Sequence, residues 1–363
     1  MPLGQKPLLC QSGLGNAAPT LGAETGPKPL TKMSRTMVEA SQAASANRKY
    51  KAIIASTPRR RVQRSPLRPV PWLLPVVAFY GLFLLLPFAL AVRYSLTRWD
   101  GVGPATFVGL RNYEAILSGG SLSNEFFLAI LHSLMFFGIV YVASLFVGIP
   151  VAYCLSQASP RLNRWLGTIY LVPLVIPPLV VGYIFLLFLE PGSGVTYDLG
   201  QNLHLGFLTY PVLGSAATAL PTIALIAAWM SMGLVIIIIW AALMAIPTEI
   251  LEAVRLDGAN RMQELRRIVV PLVRPALITI AVLEVIGSFA TFDIIYVTEG
   301  ITAGPGGSAD VLATLFYRVA FGGAYGSSNQ VGLATAIVVL GFAFAVSIAT
   351  LGVIVQRRWR VEW

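Results

Sequence analysis

The side chains best placed to do chemistry lie between Ile246 and Pro275: Glu249, Glu252 and Asp257, then Gly258, then a basic run that closes on Pro271 and Pro275. Thr248 can cap a helix that Pro247 precedes. Glu249 and Glu252 put negative charge in its first turn, where the helix dipole favours it. That helix is expected to reach Leu256, because Gly258 offers the backbone freedom that a sharp reversal needs. A second, basic amphipathic helix is predicted from about Arg261 to Val269, ended by Pro271. Two short helices hinged on a glycine have the shape of a docking element for another protein.

A sparser set lies further on. Glu284 and Asp293 sit inside an apolar run, where an ionisable side chain is costly unless it faces a cavity or a partner. Glu284, Ser288, Thr291 and Ile295 recur at helical spacing, so the first three are predicted to line a path as a stripe that hydrogen-bonds solute hydroxyls. An interhelical contact is an equal reading for Glu284, and Asp293 reads as a structural residue. His132 reads as a packed polar residue and Cys154 as a small residue packed in an apolar run. Two cysteines and two histidines make neither a disulfide framework nor a zinc site, so no metal is expected. The sequence has no G-x-x-x-x-G-K-[ST] loop to cradle ATP phosphates, no H-E-x-x-H and no G-x-S-x-G elbow. Catalysis within this chain is not expected.

The elements that must hold these residues are apolar. Of 363 residues 56% are hydrophobic and 12% charged, with mean hydropathy +0.73, against about 25% charged in soluble domains. An ordinary soluble enzyme is excluded. Six stretches reach the roughly 20 residues needed to cross a hydrocarbon core of about 30 Å: residues 72–92, 128–155, 165–189, 216–246, 276–297 and 331–355. The third carries Pro173, Pro177 and Pro178, which remove backbone donors and kink helices. The predicted fold class is therefore all-α, a polytopic membrane protein with six transmembrane helices over residues 72–356. Residues 1–71, with twelve Lys and Arg and one aromatic, read as a disordered basic tail, and 357–363 as a short C-terminal tail.

Charge then sets the expected orientation. With the N-terminal tail cytoplasmic, the inside segments 1–71, 156–164, 247–275 and 356–363 hold 22 of the 26 Lys and Arg, and the outside segments hold four. That asymmetry is what the positive-inside rule requires, and it places both termini in the cytoplasm. A nucleic-acid role would need basic residues interleaved with aromatics or a recognisable module, so no nucleic-acid partner is expected.

The string EAVRLDGANRMQELRRIVVPLVRP resembles the EAA loop of binding-protein-dependent ABC importer permeases, matching at Glu252, Ala253, Asp257, Gly258, Ala259, Ile268, Pro271 and Pro275. Val254 stands where that family prefers Ala, and Val270 where it often has Leu. Phe292 to Thr298, followed by Gly300, Gly304, Gly306 and Gly307, is similar to the FD-x-IY-x-LT-GGGP segment of the carbohydrate-uptake branch, with the glycine stretch lengthened by Ile301 and Thr302. Tyr94-Ser95-Leu96 and Phe107 to Tyr113 fit the same branch. The resemblance covers residues 70 to 360. It implies a permease subunit of the cell membrane that imports a sugar delivered by an extracellular solute-binding protein. Such a subunit pairs with a second permease and two ATPase subunits, and those ATPases hold ATP and magnesium, so no cofactor is expected in this chain. The EAA loop would be the coupling element, with Glu252 as the charged contact to the ATPase and Gly258 shaping the turn. A same-family permease for glycerol phosphate would show cations along its path. A secondary transporter would show inverted repeats and titratable relays; neither feature is evident.

Overall fold

The computed structural model describes residues 70–322 and 330–358, with four isolated residues at 45, 48, 49 and 51. Most of the basic tail, and residues 359–363, lie outside the described residues. The chain divides into two units, Met1–Leu73 and Leu74–Trp363; the fold is that of the second.

Four helices are long and apolar enough to cross a membrane without interruption: α1 (Leu73–Ser95), α3 (Ser121–Ser156), α7 (Ala219–Met244) and α13 (Val331–Arg358). At about 1.5 Å per residue, the 36 residues of α3 span roughly 54 Å, well beyond the hydrocarbon core. The other two apolar stretches are broken. α4 (Pro160–Val175) and α5 (Pro178–Phe188) meet at 89° across Ile176 and Pro177. α9 (Arg261–Leu272) and α10 (Arg274–Ala290) meet at 66°. Among the described residues there are thus four uninterrupted candidate spans, or six if each bent pair counts as one.

Local signals explain the starts and stops. Ser159 caps α4, its hydroxyl accepting from the Leu162 N–H, and Pro160 occupies the first turn, where its missing donor costs nothing. Pro177 and Pro178 forbid continuation, and Pro178 then opens α5. Between α1 and α3 the chain forms a small hairpin, β1 (Thr97–Arg98) antiparallel to β2 (Thr106–Phe107), followed by α2 (Arg111–Leu117). Asn112 ties it down, donating from Nδ2 to the carbonyls of Ser95 at 2.7 Å and Thr97 at 2.9 Å. Between α5 and α7 lies α6 (Val195–Asn202), and α8 (Thr248–Leu256) follows α7.

Buried side chains form clusters that bind spans together. Phe136 and Val140 of α3, Val181 of α5, and Leu220 and Ile223 of α7 share one. Ala152 and Tyr153 of α3, Ile236 and Ile239 of α7, and Val269 with Ile280 share another at the other end of α3. Glycines permit the closest approaches. A β-carbon on Gly148 of α3 would stand 3.0 Å from Val235, and one on Gly233 of α7 would collide with the backbone carbonyl of Tyr170 in α4. Small residues at such crossings are how membrane helices come together.

Four expectations need correction. Cys154 is exposed, because α3 turns Ala152, Tyr153 and Leu155 inward at that level and leaves it on the outer side. Thr248 is the first helical residue rather than a cap, and no side chain caps α8. Pro271 does not stop the second loop helix, which runs to Leu272. A π turn at Glu264–Val269 precedes it, with Val270 N–H bonded to Leu265 O, and absorbs the donor that proline lacks. The fifth stretch does not run helically to residue 297. It stops at Ala290 and resumes as α11 (Asp293–Glu299), so Ile295 falls beyond a break from Glu284.

Candidate functional site

The α4–α5 and α10–α11 junctions meet. Ile176 and Pro178 from the α4–α5 junction, and Thr291, Phe292 and Asp293 from the α10–α11 junction, border one cavity of about 350 Å³ whose third wall includes Ser231 of α7. Ile176 (ψ 128°) and Thr291 (ψ 118°) are both extended, so α4 and α10 end at the cavity. The last carbonyls of a helix lack intrahelical partners, and irregular backbone within a membrane bundle is tolerated where it lines a cavity. Pro177 and Pro178 contribute no N–H. The lining is mostly apolar; Ser231, Thr291 and Asp293 supply its polar side chains, and Asp293 is the one charged residue among them.

The three predicted path residues separate here. Thr291 lines the cavity, its hydroxyl donating to Gly287 O at 2.8 Å. Glu284 is half-buried and interacts with the Ser231 hydroxyl, which in turn contacts the Ser144 hydroxyl of α3 at 3.2 Å. It joins helices through Ser231 and is not itself among the residues that line the cavity. Ser288 is 2% exposed and turned into the protein. Ser231, a single hydroxyl within an apolar run, gave no signal in the sequence.

The loop after α7 is closely built. α8 carries Glu252 and Ala253 exposed to solvent. At its end Gly258 has φ +80°, its N–H bonds to Arg255 O, and Ala259 N–H bonds to Val254 O, the paired bonds of a Schellman turn. Asp257 is exposed at the C-cap, its N–H bonded to Ala253 O, and Ala259 is half-buried. Asn260 and Gln263 then form a reciprocal capping box at 2.9 and 3.0 Å that starts α9. Across the turn, Arg255 reaches Glu264 with two bonds of 3.1 Å. Ile268 and Pro271 are half-buried along α9. The Arg255–Glu264 pair, nine residues apart, was not legible in the sequence.

A polar latch holds α12 (Leu312–Phe321) to α3. Arg318 donates to Asp310 at 2.6 Å and to Glu125 at 2.9 Å, Thr314 donates to Asp310 at 2.7 Å, and His132 Nδ1 meets Asp310 O at 2.9 Å. Ser133 of α3 accepts from the Leu312 N–H at 3.2 Å. Burial pushes the Asp310 carboxyl above its ordinary value, and Arg318 acts against that rise. His132 is thus a packed polar residue, and no group of metal-binding side chains occurs among the described residues.

Glu299, at the end of α11, lies under the glycine-rich turn, where a β-carbon on Gly304 would press on its carboxylate. Burial pushes its pKa from 4.5 up to about 7. A raised value means that the folded protein holds this proton more tightly than the unfolded chain. The favourable contribution is complete below pH 4.5 and is lost as pH rises through 7. Glu299→Gln should therefore match the wild type in acid and exceed it by about 1–2 kcal/mol above neutrality, a figure reduced for partial exposure. Melting curves of both proteins across that range check the divergence.

Residues 144–361, more than half of the chain, match the family described as "Binding-protein-dependent transport system inner membrane component". The protein belongs to this family of ABC transporter permeases. The permease is 30% identical over 293 residues to the probable ABC transporter permease protein YurN of Bacillus subtilis, covering 79% of this chain and 96% of that protein. It is 27% identical to the probable starch degradation products transport system permease protein AmyD of Thermoanaerobacterium thermosulfurigenes, covering 77% and 90%. In fold the permease is similar to a chain of a bacterial alginate ABC transporter crystallised with an alginate pentasaccharide-bound periplasmic protein. The TM-score there is 0.65 at 21% identity, covering 80% of this chain and 93% of that one.

Proposed function

We propose that this permease is one membrane-spanning subunit of an ATP-driven importer for a neutral carbohydrate. The observation that carries the reading is the cavity between the two broken helices. Its two hydroxyls and single carboxylate can accept hydrogen bonds from sugar hydroxyls, its apolar side chains suit the faces of a sugar ring, and it has no lining Lys or Arg to pair with a phosphate or a uronate. The starch-product relative supports a carbohydrate cargo. The charge asymmetry supports six spans with both termini and the 247–275 loop in the cytoplasm. That loop is read as the EAA coupling element: Glu252 and Ala253 face the ATPase, Asp257, Gly258 and Ala259 make the turn, and Ile268 and Pro271 seat α9 against the spans. Glu284, Ser288 and Thr291 are assigned to the path, with Ser231 joining them. A second permease, two ATP-binding subunits and an extracellular binding protein complete the transporter, and ATP with its magnesium is held by the ATPases.

The test is uptake into proteoliposomes that contain the complete transporter. ATP-dependent accumulation of a labelled neutral oligosaccharide, with none of glycerol phosphate, is expected. Gly258→Val should lower it by about tenfold, since a β-branched residue at positive φ costs roughly 1–2 kcal/mol. A β-carbon there would meet nothing within 4 Å, so the variant changes the turn and not the packing. Uptake that continues without the ATPase, or that favours the phosphate, overturns the reading.

A further inference from the structure

The turn at Gly258 is closed on both sides by its own backbone, yet neither the Schellman bonds nor the capping box fixes how α8 lies against α9. Ile250 and Leu251 of α8 share an apolar cluster with Leu265 and Val269 of α9, and one directional contact spans the two helices in the manner of a brace. Arg255, in the last turn of α8, sends Nε to Glu264 Oε2 and Nη2 to Glu264 Oε1, both at 3.1 Å. Two parallel bonds fix the plane of the guanidinium as well as its distance. The Glu264 side chain is 2% exposed and that of Arg255 50%, so the pair runs from the solvent face of α8 into the interior.

Glu264 stands where several elements converge. It borders a cavity of about 420 Å³ shared with Tyr153 and Gln157 at the end of α3, Met244 at the end of α7, and Thr248 and Glu252 of α8. It also opens the π turn that carries α9 past Pro271. On α8, Arg255 lies three residues from Glu252 and so shares its face. Glu252 and the Arg255–Glu264 pair thus lie on one side of the loop, bordering the same cavity.

We propose that the Arg255–Glu264 pair is a positioning contact that makes α8 and α9 move as one body, so that displacement of α8 reaches α3 and α10 rather than being taken up by the Gly258 turn. The proposal rests on the reading of this loop as the coupling element. Stability alone does not account for the pair. Burying a carboxylate costs several kcal/mol, and apolar residues of similar volume commonly hold a site as well or better. What the ion pair adds is a fixed mutual orientation.

The experiment uses the complete transporter in proteoliposomes and compares the wild type with Glu264→Gln and with the apolar pair Arg255→Leu/Glu264→Met. Three quantities are read: melting temperature, ATPase subunits retained per permease, and sugar imported per ATP hydrolysed. Both variants are expected to keep the wild-type melting temperature and subunit ratio. Sugar imported per ATP should fall by about fivefold or more, the lower end of ordinary coupling free energies. An unchanged import per ATP in both variants overturns the proposal. So does a loss confined to melting temperature and subunit ratio with import per ATP intact in the complexes that remain, because that is a structural role only. If the wild-type chain itself retains no ATPase, the functional reading of the loop fails, and that outcome is visible before any variant is made.

Discussion

Arg318→Met lowers the stability of the permease by about 3–5 kcal/mol, the usual consequence of removing one member of a buried ion pair. Arg318 is 12% exposed at its side chain and Asp310 8%, so Asp310 is left with a carboxylate that has lost its cation and cannot reach water. Glu125, 49% exposed, is freed into solvent and suffers little. The remaining donor to the Asp310 carboxylate is the Thr314 hydroxyl, which does not replace a charge. The sign of the pH effect follows. Burial already raises Asp310 above 3.8, and loss of Arg318 raises it further. The variant is then least impaired in acid, where the carboxyl is neutral, and its deficit against the wild type widens as pH rises. The double substitution Arg318→Met/Asp310→Leu should recover most of the loss, because no charge remains to be desolvated. Melting temperatures of the three proteins in acidic and alkaline buffer test both parts; a deficit that does not change with pH would show that Asp310 is not the residue left stranded.

Gly233→Val should prevent accumulation of folded permease. Gly233 lies near the middle of α7, and a β-carbon on it would run into the Tyr170 carbonyl of α4, with the Tyr170 carbonyl carbon at 3.0 Å and Leu171 Cα at 3.3 Å. All three obstacles are backbone, so no side chain can rotate aside. Even Gly233→Ala should cost about 1–3 kcal/mol, the range for overpacking a close-packed interior. Gly138→Ala in α3 is the control. A β-carbon there meets nothing within 4 Å, and the exchange should be neutral or stabilising by about 0.5–1 kcal/mol through helix propensity. Size-exclusion profiles and thermal melts in detergent separate the two. A folded, wild-type-like Gly233→Val protein would mean that α4 and α7 do not cross at this point.

The apolar helices could be located from sequence because long runs such as Leu234 to Ile239 carry their signal in every residue, and the break at Pro177–Pro178 because proline announces itself. The break at Thr291 was not legible. No proline or glycine marks it; beside it Phe292 lies tilted and Tyr296 edge-on against Tyr317 of α12, with ring centroids at 4.9 and 5.4 Å, contacts that residue spacing does not reveal. Of the stripe drawn through Glu284, Ser288 and Thr291, the first two lie within α10 and Thr291 just past its end; which side of α10 faces the cavity and which packs inward, as Ser288 does, is not written in the spacing. In the loop, residue types revealed the glycine turn, but the Arg255–Glu264 contact depends on how two helices fold back on each other, and helical spacing is blind to it. Cys154 shows the converse limit. Within an apolar run, hydropathy cannot tell which side of a span faces the protein.

The broken helices also decide how force can travel. An unbroken helix is stiff along its axis because each turn is bonded to the next. Where α4 stops at Val175 and the chain sets off again at 89°, an axial push has no continuous rod to follow and becomes a sideways shift of the junction. α3 and α7, by contrast, are continuous rods of 36 and 26 residues. The pieces α4, α5, α10 and α11 bring their jointed ends to the cavity, and α7 closes the remaining side. Long rods and short, jointed pieces are thus divided between different helices.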